Sequence, residues 1–202
     1  MNYFLELNSE FSGLECHVVT EDLARMYEKW FKKKGLLYKE IFVKYEDAGF
    51  SRKIFQVESD LDLTIENGIH SHSAASTLHS NSKRYTNWVR VDVFLENSPD
   101  YSDGYVIEPR RGGMNHAPSV TATDGDGNSI EISAFRSQRD NSKMAVTYLH
   151  SKADFEPNMK IVRRYSLQPV AWIHDYVNNI ETRDVFRVLE GNLDLFYANK
   201  CG

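Results

Sequence analysis

The sequence predicts an α+β fold, with a small insert carried by a larger body. Three observations carry that prediction. One long stretch near the N-terminus repeats its apolar residues at helical spacing, a later stretch alternates apolar and polar residues as a strand does, and two loop-like segments bracket about 105 to 152. The chain has 202 residues, enough for one real core or two small ones.

Taken in order, residues 3 to 7, YFLEL, read as a strand. A helix is expected from about Thr20 to Lys34, with Thr20 as N-cap and Glu21 and Asp22 in the first turn. Leu23, Met26, Tyr27, Trp30 and Phe31 form its apolar stripe, and Gly35 is the expected stop. Lys32, Lys33 and Lys34 read as a solvated helix end. Strands are expected near 36–45 and 53–58, and a short helix over 70–77. The segment 87–96, NWVRVDVFLE, alternates over most of its length and reads as a half-buried strand. NSPDYSDG, 97–104, is loop by composition and marks a boundary. SVTATDGDGNSIEIS reads as a hairpin around an Asp-Gly turn. Residues 137–150 can form a helix, SKADFEPN a second linker, and short helices are expected around 183–189 and 193–199.

Bulk properties exclude several classes. Hydrophobic content of 41% with 26% charged residues is that of a soluble globular chain. No run approaches 18 apolar residues, so no membrane span or membrane partner is expected. The start, MNYFLELNSEF, lacks the basic and apolar regions of a signal peptide. Two cysteines make neither a disulfide framework nor a metal quartet, which favours a cytoplasmic protein with free thiols. The net charge of −5 argues against nonspecific nucleic-acid binding, but charge is unevenly spread. Asp92, Glu96, Asp100, Asp103 and Glu108 occur with no Lys or Arg between them, whereas a modest basic excess begins at Arg110 and Arg111. Local charge decides where a phosphate backbone could lie.

Several groups of residues could carry chemistry. Asp124, Asp126 and Asn128 begin like a calcium loop, but Ser129 and Phe135 stand where the turn glycine and bidentate glutamate belong. The hairpin reading is preferred. His70, His72 and His79 lie close in sequence without a third ligand at recognisable spacing, so no metal and no cofactor are assigned. No elbow motif supports a Ser-His-Asp or Cys-His nucleophile. What remains is the loop EPRRGGMNHAPS, 108–119, where paired glycines mark backbone that larger residues cannot adopt.

That loop belongs to a wider resemblance. FLELNSEFSGLECHVVTEDLARMYEKWFKKKG is similar to LELRAGTGGxEAxDxAxMLLRMYxRWAxxKG, and ENGIHSHSAASTLHSNSKRYTNW to ETGVHRLVRxSPFDSxGRRHTSF. EPRRGGMN and FRSQRDN follow RxSGAGGQHVN and ERSQHxN. RRYSLQP and DYVNNIETRDVFRVLEGNLDLFYAN follow IRSYxLxP and DLRTGVETxNxxxVLDGxLDxFIEA, the last in unbroken register. These are the patterns of the bacterial class 1 peptide-chain release factors, and the chain resembles the type that reads UGA and UAA. The resemblance implies a body built from the family's second and fourth domains, with the third inserted as an α/β unit. On that basis 1–104 is a codon-recognition-like part, 105–152 the unit with the glycine loop, and 153–202 the closing part of the body. The family's N-terminal helical domain is then missing, since Met1 falls where the second domain begins.

The resemblance also implies partners and roles. A monomer would enter the A site of the 70S ribosome and meet rRNA, A-site mRNA and peptidyl-tRNA. The family's Ser-Pro-Phe tripeptide, which reads the codon, falls on Ser76, Thr77 and Leu78, and its His-Thr pair on Tyr85 and Thr86. Its Gly-Gly-Gln falls on Gly112, Gly113 and Met114. Arg110, Arg111, Arg136, Ser137, Gln138 and Arg139 suit ribosomal RNA. Between the glycines and Arg136 the chain is four residues shorter than the family. At most, then, the activity is ribosome-dependent hydrolysis of peptidyl-tRNA with a degenerate motif. A fully active release factor and an RNA-binding protein acting away from the ribosome are the two alternatives.

Overall fold

The computed structural model describes residues 1–9, 13–76, 84–99, 104–112 and 118–197. Two sheets organise the chain. The larger has eight strands: β1 (Asn2–Asn8), β2 (Leu37–Glu46), β3 (Gly49–Glu58), β4 (Gly68–Ala75), β5 (Arg84–Leu95), β9 (Ile161–Ser166), β10 (Trp172–Asp175) and β11 (Ile180–Thr182). Their order is β11-β10-β9-β4-β5-β1-β3-β2. All neighbours are antiparallel except β4 and β9, which run parallel and are separated along the chain by β5 and the whole of the insert. The smaller sheet is β6 (Val106–Arg110), β7 (Ser119–Thr123) and β8 (Ser129–Ile132) in that order. The helices are α1 (Leu14–Lys34), α2 (Gln138–Ala153), α3 (Val185–Leu189) and α4 (Asp194–Tyr197). Among the described residues, no helix is long and apolar enough to cross a membrane.

The stripe on α1 does what its spacing predicts. Leu23, Tyr27, Trp30 and Phe31 are buried against Leu5, Leu7, Phe55, Val57, Val89 and Val91 on one face of the large sheet. The start of α1 differs from expectation. Gly13, not Thr20, is the N-cap; Thr20 is fully buried and its hydroxyl donates to the carbonyl of Cys16 at 2.8 Å. A hydroxyl can bond four residues back without ending a helix, so a capping residue type does not locate a cap. Gly35 is the stop, in the left-handed conformation. The lysines before it do more than meet solvent: Lys33 Nζ donates to the carbonyl of Glu190 at 2.7 Å, and Lys34 pairs with Asp194 at 2.8 Å. They hold the C-terminal segment. Gly191 closes that contact, because a Cβ there would sit 2.6 Å from the backbone nitrogen of Trp30.

Residues 70–76 are not helical, and Thr77 lies outside the described residues. His70 and His72 lie in β4, preceded by a 3-10 turn at Leu63–Glu66. Apolar residues near 70–77 are too few to set a helical period, and pairing with β5 on one side and β9 on the other decides the outcome. The second linker is also shorter than its composition suggests, since α2 continues to Ala153. Strands β9 to β11, which carry no strong alternation, are recruited by tertiary pairing.

Beneath β4 a fully buried polar cluster joins four parts of the chain. Arg163 Nη1 and Nη2 donate to the two oxygens of Glu66 at 2.8 and 3.0 Å, and Nη2 and Nε reach Asp175 Oδ2 at 2.8 and 2.9 Å. Tyr27 and Tyr197 also donate to Glu66, at 2.7 and 3.1 Å. Burial alone would raise the Glu66 pKa, but the charge of Arg163 holds it below the ordinary value. Nearby, His70 is hydrogen-bonded to the carbonyl of Glu66 at 3.0 Å, and burial lowers its pKa to about 4. It is a neutral core histidine.

The insert packs on the opposite face of the sheet. Phe4, Ile54 and Phe94 there share an apolar cluster with Ala122, Ile130 and Ile132 of the small sheet and Met144, Ala145 and Leu149 of α2. A charged seam borders this cluster. Glu6, almost completely buried on β1, accepts from Arg52 Nε at 2.6 Å, Tyr148 Oη at 2.6 Å and Lys152 Nζ at 2.5 Å. Burial pushes the Glu6 pKa up, but Lys152 and Arg52 outweigh it and bring it to about 2. Its cross-strand neighbour Asp92 goes the other way: burial, reinforced by the charge of Glu6, raises it to about 6.

Candidate functional site

Two regions hold the residues singled out from sequence. The first is the connected end of the β4–β5 hairpin. Ser76 follows β4, and its hydroxyl donates to Glu15 Oε1 in the first turn of α1. Thr77 and Leu78 lie outside the described residues. Across the hairpin, strand alternation sends Tyr85 and Thr86 to opposite faces of the sheet. Thr86 is exposed, and its hydroxyl lies 2.7 Å from that of Ser73 on the facing strand. Tyr85 is half-buried on the α1 side, opposite Ala74. The structure therefore brings Thr86 together with Ser73, a residue not singled out from sequence, and separates it from Tyr85.

The second region is the base of the glycine loop. Gly113 and Met114 lie outside the described residues; Arg110, Arg111 and Gly112 lead into them and are exposed. Arg110 ends β6, an edge strand whose proline at 109 needs no ladder donor on its free side. On the far side, Ser137 caps α2, accepting from the amide of Asp140 at 3.4 Å. Gln138 Nε2 donates to the carbonyl of Arg110 at 3.1 Å, so the start of the helix is tied to the start of the loop. Arg136 and Arg139 are exposed beside it. Among the described residues none of Arg110, Arg111, Arg136 and Arg139 has a carboxylate partner. Four unneutralised guanidiniums with several free donors each are suited to phosphate oxygens.

Asn141 is the residue that composition and spacing missed. It is fully buried, one turn into α2. Its Oδ1 accepts from the amide of Phe135 at 2.9 Å, and its Nδ2 donates to the carbonyls of Phe135 at 2.9 Å and Pro118 at 2.8 Å. Pro118 is where the chain returns from the glycine loop, so one side chain clamps the return strand to the α2 approach. The signal was available as the final Asn of FRSQRDN. The aspartate-rich turn between β7 and β8 is filled by its own hydrogen bonds: Asp124 Oδ1 accepts from the amides of Asp126 and Asn128 at 3.0 and 2.8 Å.

The fold has counterparts among known proteins. A family model described as the PCRF domain matches residues 1–91. Peptide chain release factor 2 of Pseudothermotoga lettingae is 25% identical over 231 residues, covering 96% of this chain and 63% of its own length. Peptide chain release factor 2 of Clostridium perfringens is 26% identical over 228 residues, covering 95% of this chain and 63% of its own. The chain thus spans a little under two thirds of the length of these relatives. Among solved structures, RF2 of Thermus thermophilus aligns with a TM-score of 0.84 over 97% of this chain and 66% of that one, at 18% identity. That likeness extends from the PCRF-matched segment through the insert to the C-terminal strands.

Proposed function

We propose that this chain, which is similar to the bacterial peptide chain release factors, binds the A site of the 70S ribosome and acts in translation termination or modulates it, with peptidyl-tRNA hydrolysis weakened or lost. The observation that carries this reading is the set of exposed arginines, 110, 111, 136 and 139, without carboxylate partners among the described residues, in the segments that flank a glycine loop with Met114 at its third position. In this reading residues 1–104 and 153–202 form the part that faces mRNA, and 105–152 the part that reaches the peptidyl-tRNA. Thr86 presents its exposed hydroxyl to base edges, and Tyr85 and Ser76, whose hydroxyl is bonded to Glu15, stand at the same end of the hairpin.

The chemistry is attack of water on the ester carbon that joins peptide to tRNA. Negative charge develops on the carbonyl oxygen, and a backbone N–H at the third loop position can donate to it. Methionine keeps that N–H. Its thioether has no donor and cannot orient water or the leaving hydroxyl as a side-chain amide does. Removing one oxyanion-type donor typically costs about 10²–10³ in rate, and retention of the backbone donor predicts a slow reaction or none.

The test is peptide release from purified 70S termination complexes, with pelleting to measure binding. Binding with release well below that of a normal release factor supports the proposal, and Met114→Gln should raise release. Release at the normal rate would make the chain an active release factor. Failure to pellet above an unrelated acidic protein at low salt would remove the ribosome from the proposal and leave an RNA-binding protein.

A further inference from the structure

Alternation along β5 places Arg84, Thr86, Trp88 and Arg90 on the face of the large sheet away from α1. The register aligns two rows across that face. In one, Thr86, Ser73, Ser166 and Trp172 are successive partners across β5, β4, β9 and β10. In the next, the partners are Trp88, Ser71, Arg164 and His174. Among the described residues the insert covers this face around Phe4, Ile54 and Phe94 and along the Glu6–Arg52 seam. The half on β5, β4, β9 and β10 carries large side chains that are not covered. Trp88 is 40% exposed in mid-strand, Tyr176 just past β10 is 46% exposed, and Trp172, Arg164 and His174 are half-buried. Ser71, Ser73 and Ser166 are buried, so the larger side chains stand above a small-residue floor.

The cations on this half are Arg84 and Arg164, while Glu181 of β11, the cross-strand partner of His174, brings a carboxylate to 3.8 Å from His174 Nδ1 at the far end. Among the described residues Arg164 has no carboxylate partner, and its guanidinium lies 6.0 Å from the ring of Tyr176. That ring is also 4.3 Å from His174. Arg84 donates to Ser166 Oγ at 3.2 Å and keeps its remaining donors. The result is a shallow trough with aromatic rims, arginines between them and hydroxyls at one end.

We propose that this trough binds a short stretch of single-stranded RNA, with bases stacked on Trp88 and Trp172 and phosphates held by Arg84 and Arg164. Flat apolar ring faces alternating with cations match a chain of flat bases alternating with phosphates. A duplex hides its base faces, so the partner is single-stranded. Three inter-strand steps separate Trp88 from β10, about 14 Å, which is room for two or three nucleotides. The exposed hydroxyl of Thr86, paired with Ser73, is placed for a ribose 2′-hydroxyl, the group that distinguishes RNA from DNA. The inference goes beyond the ribosomal reading: it shares Thr86 with that reading but rests on Trp88, Trp172, Arg84 and Arg164, which have no part in it.

The experiment titrates the intact protein with nine-nucleotide oligo(U) and oligo(A) in about 50 mM salt and follows tryptophan fluorescence. The chain has three tryptophans, and Trp30 is buried in the α1 core, so quenching reports Trp88 and Trp172. Both RNAs should quench. Trp88→Ala should weaken affinity by roughly 5- to 150-fold, Trp88→Phe should restore most of it, and Arg164→Glu should weaken binding and reduce its salt dependence. Arg187→Glu, on α3 away from this face, should bind as the native protein does. Thermal melting of each variant separates a lost site from a lost fold. Absence of quenching, unchanged affinity in a folded Trp88→Ala, equal binding of duplex RNA or of oligo(dT), or equal quenching by polyglutamate would each overturn the proposal.

Discussion

Tyr148 of α2 donates a 2.6 Å hydrogen bond to Glu6 of β1 across 142 residues of chain. The same phenol accepts from Arg52 at 2.8 Å and from Lys152 at 3.0 Å. It is therefore the junction between the insert and the large sheet. Removing the hydroxyl leaves Glu6 with its two cations but without the group that sets their spacing. Tyr148→Phe is expected to lower stability by about 1–3 kcal/mol, read from urea denaturation. A double-mutant cycle with Glu6→Gln should show strong coupling; additive effects would mean that the two residues act separately.

The two acids of this seam predict opposite responses to pH. Glu6 is held at about 2, below its ordinary value of 4.5. Its stabilisation is complete above about 4.5 and is lost as pH falls toward 2, an effect on the order of 3 kcal/mol. Asp92 is raised from 3.8 to about 6. Its favourable contribution is complete below about 3.8 and is lost as pH rises through about 6. Asp92→Asn should therefore stabilise the protein at pH 7, by about 1–3 kcal/mol, and make little difference at pH 4. Equal shifts at both values would show that its charge is not the cause.

Asn141 satisfies three buried backbone groups with one amide. Asn141→Ala strands all three and should cost about 3 kcal/mol. Hydrogen exchange at the amide of Phe135 should rise sharply, and a globally uniform rise would instead point to general unfolding.

Arg110 and Arg111 lead into the glycine loop, with no carboxylate partner among the described residues. Replacing both by glutamate should weaken pelleting with ribosomes and lower the slope of log affinity against log salt by about 2, as expected when two phosphate contacts are lost. An unchanged slope would place these arginines away from RNA.

Much of this was legible before the coordinates. The α1 stripe, the Gly35 stop, the β5 alternation and the Asp-Gly hairpin each have a local cause, and local causes leave local patterns. The exceptions are instructive because their causes are distant. Residues 70–75 form a strand because β5 and β9 flank them, and α1 begins six residues before Thr20 because tertiary burial extends it. At the candidate site, the arginines and glycines could be read from the motif. The clamp by Asn141, the pairing of Ser73 with Thr86 and the open row from Trp88 to His174 depend on cross-strand register, which a linear pattern does not show.

The parallel pairing of β4 with β9 has a consequence for the order of assembly. Ser71 meets Arg164 only after the chain has traversed β5, the insert and the linker between them. Until Ile161–Ser166 has emerged during synthesis, β4 presents a bare edge, and Glu66 lies in the nascent core without Arg163 to balance it. Hairpins such as β2–β3 can close early, but closing the centre of the body requires a long loop to be paid for first in entropy. Maturation of the core should thus be a late, slow event. Nascent chains arrested before residue 161 should remain sensitive to protease in β4 even when the insert is already resistant.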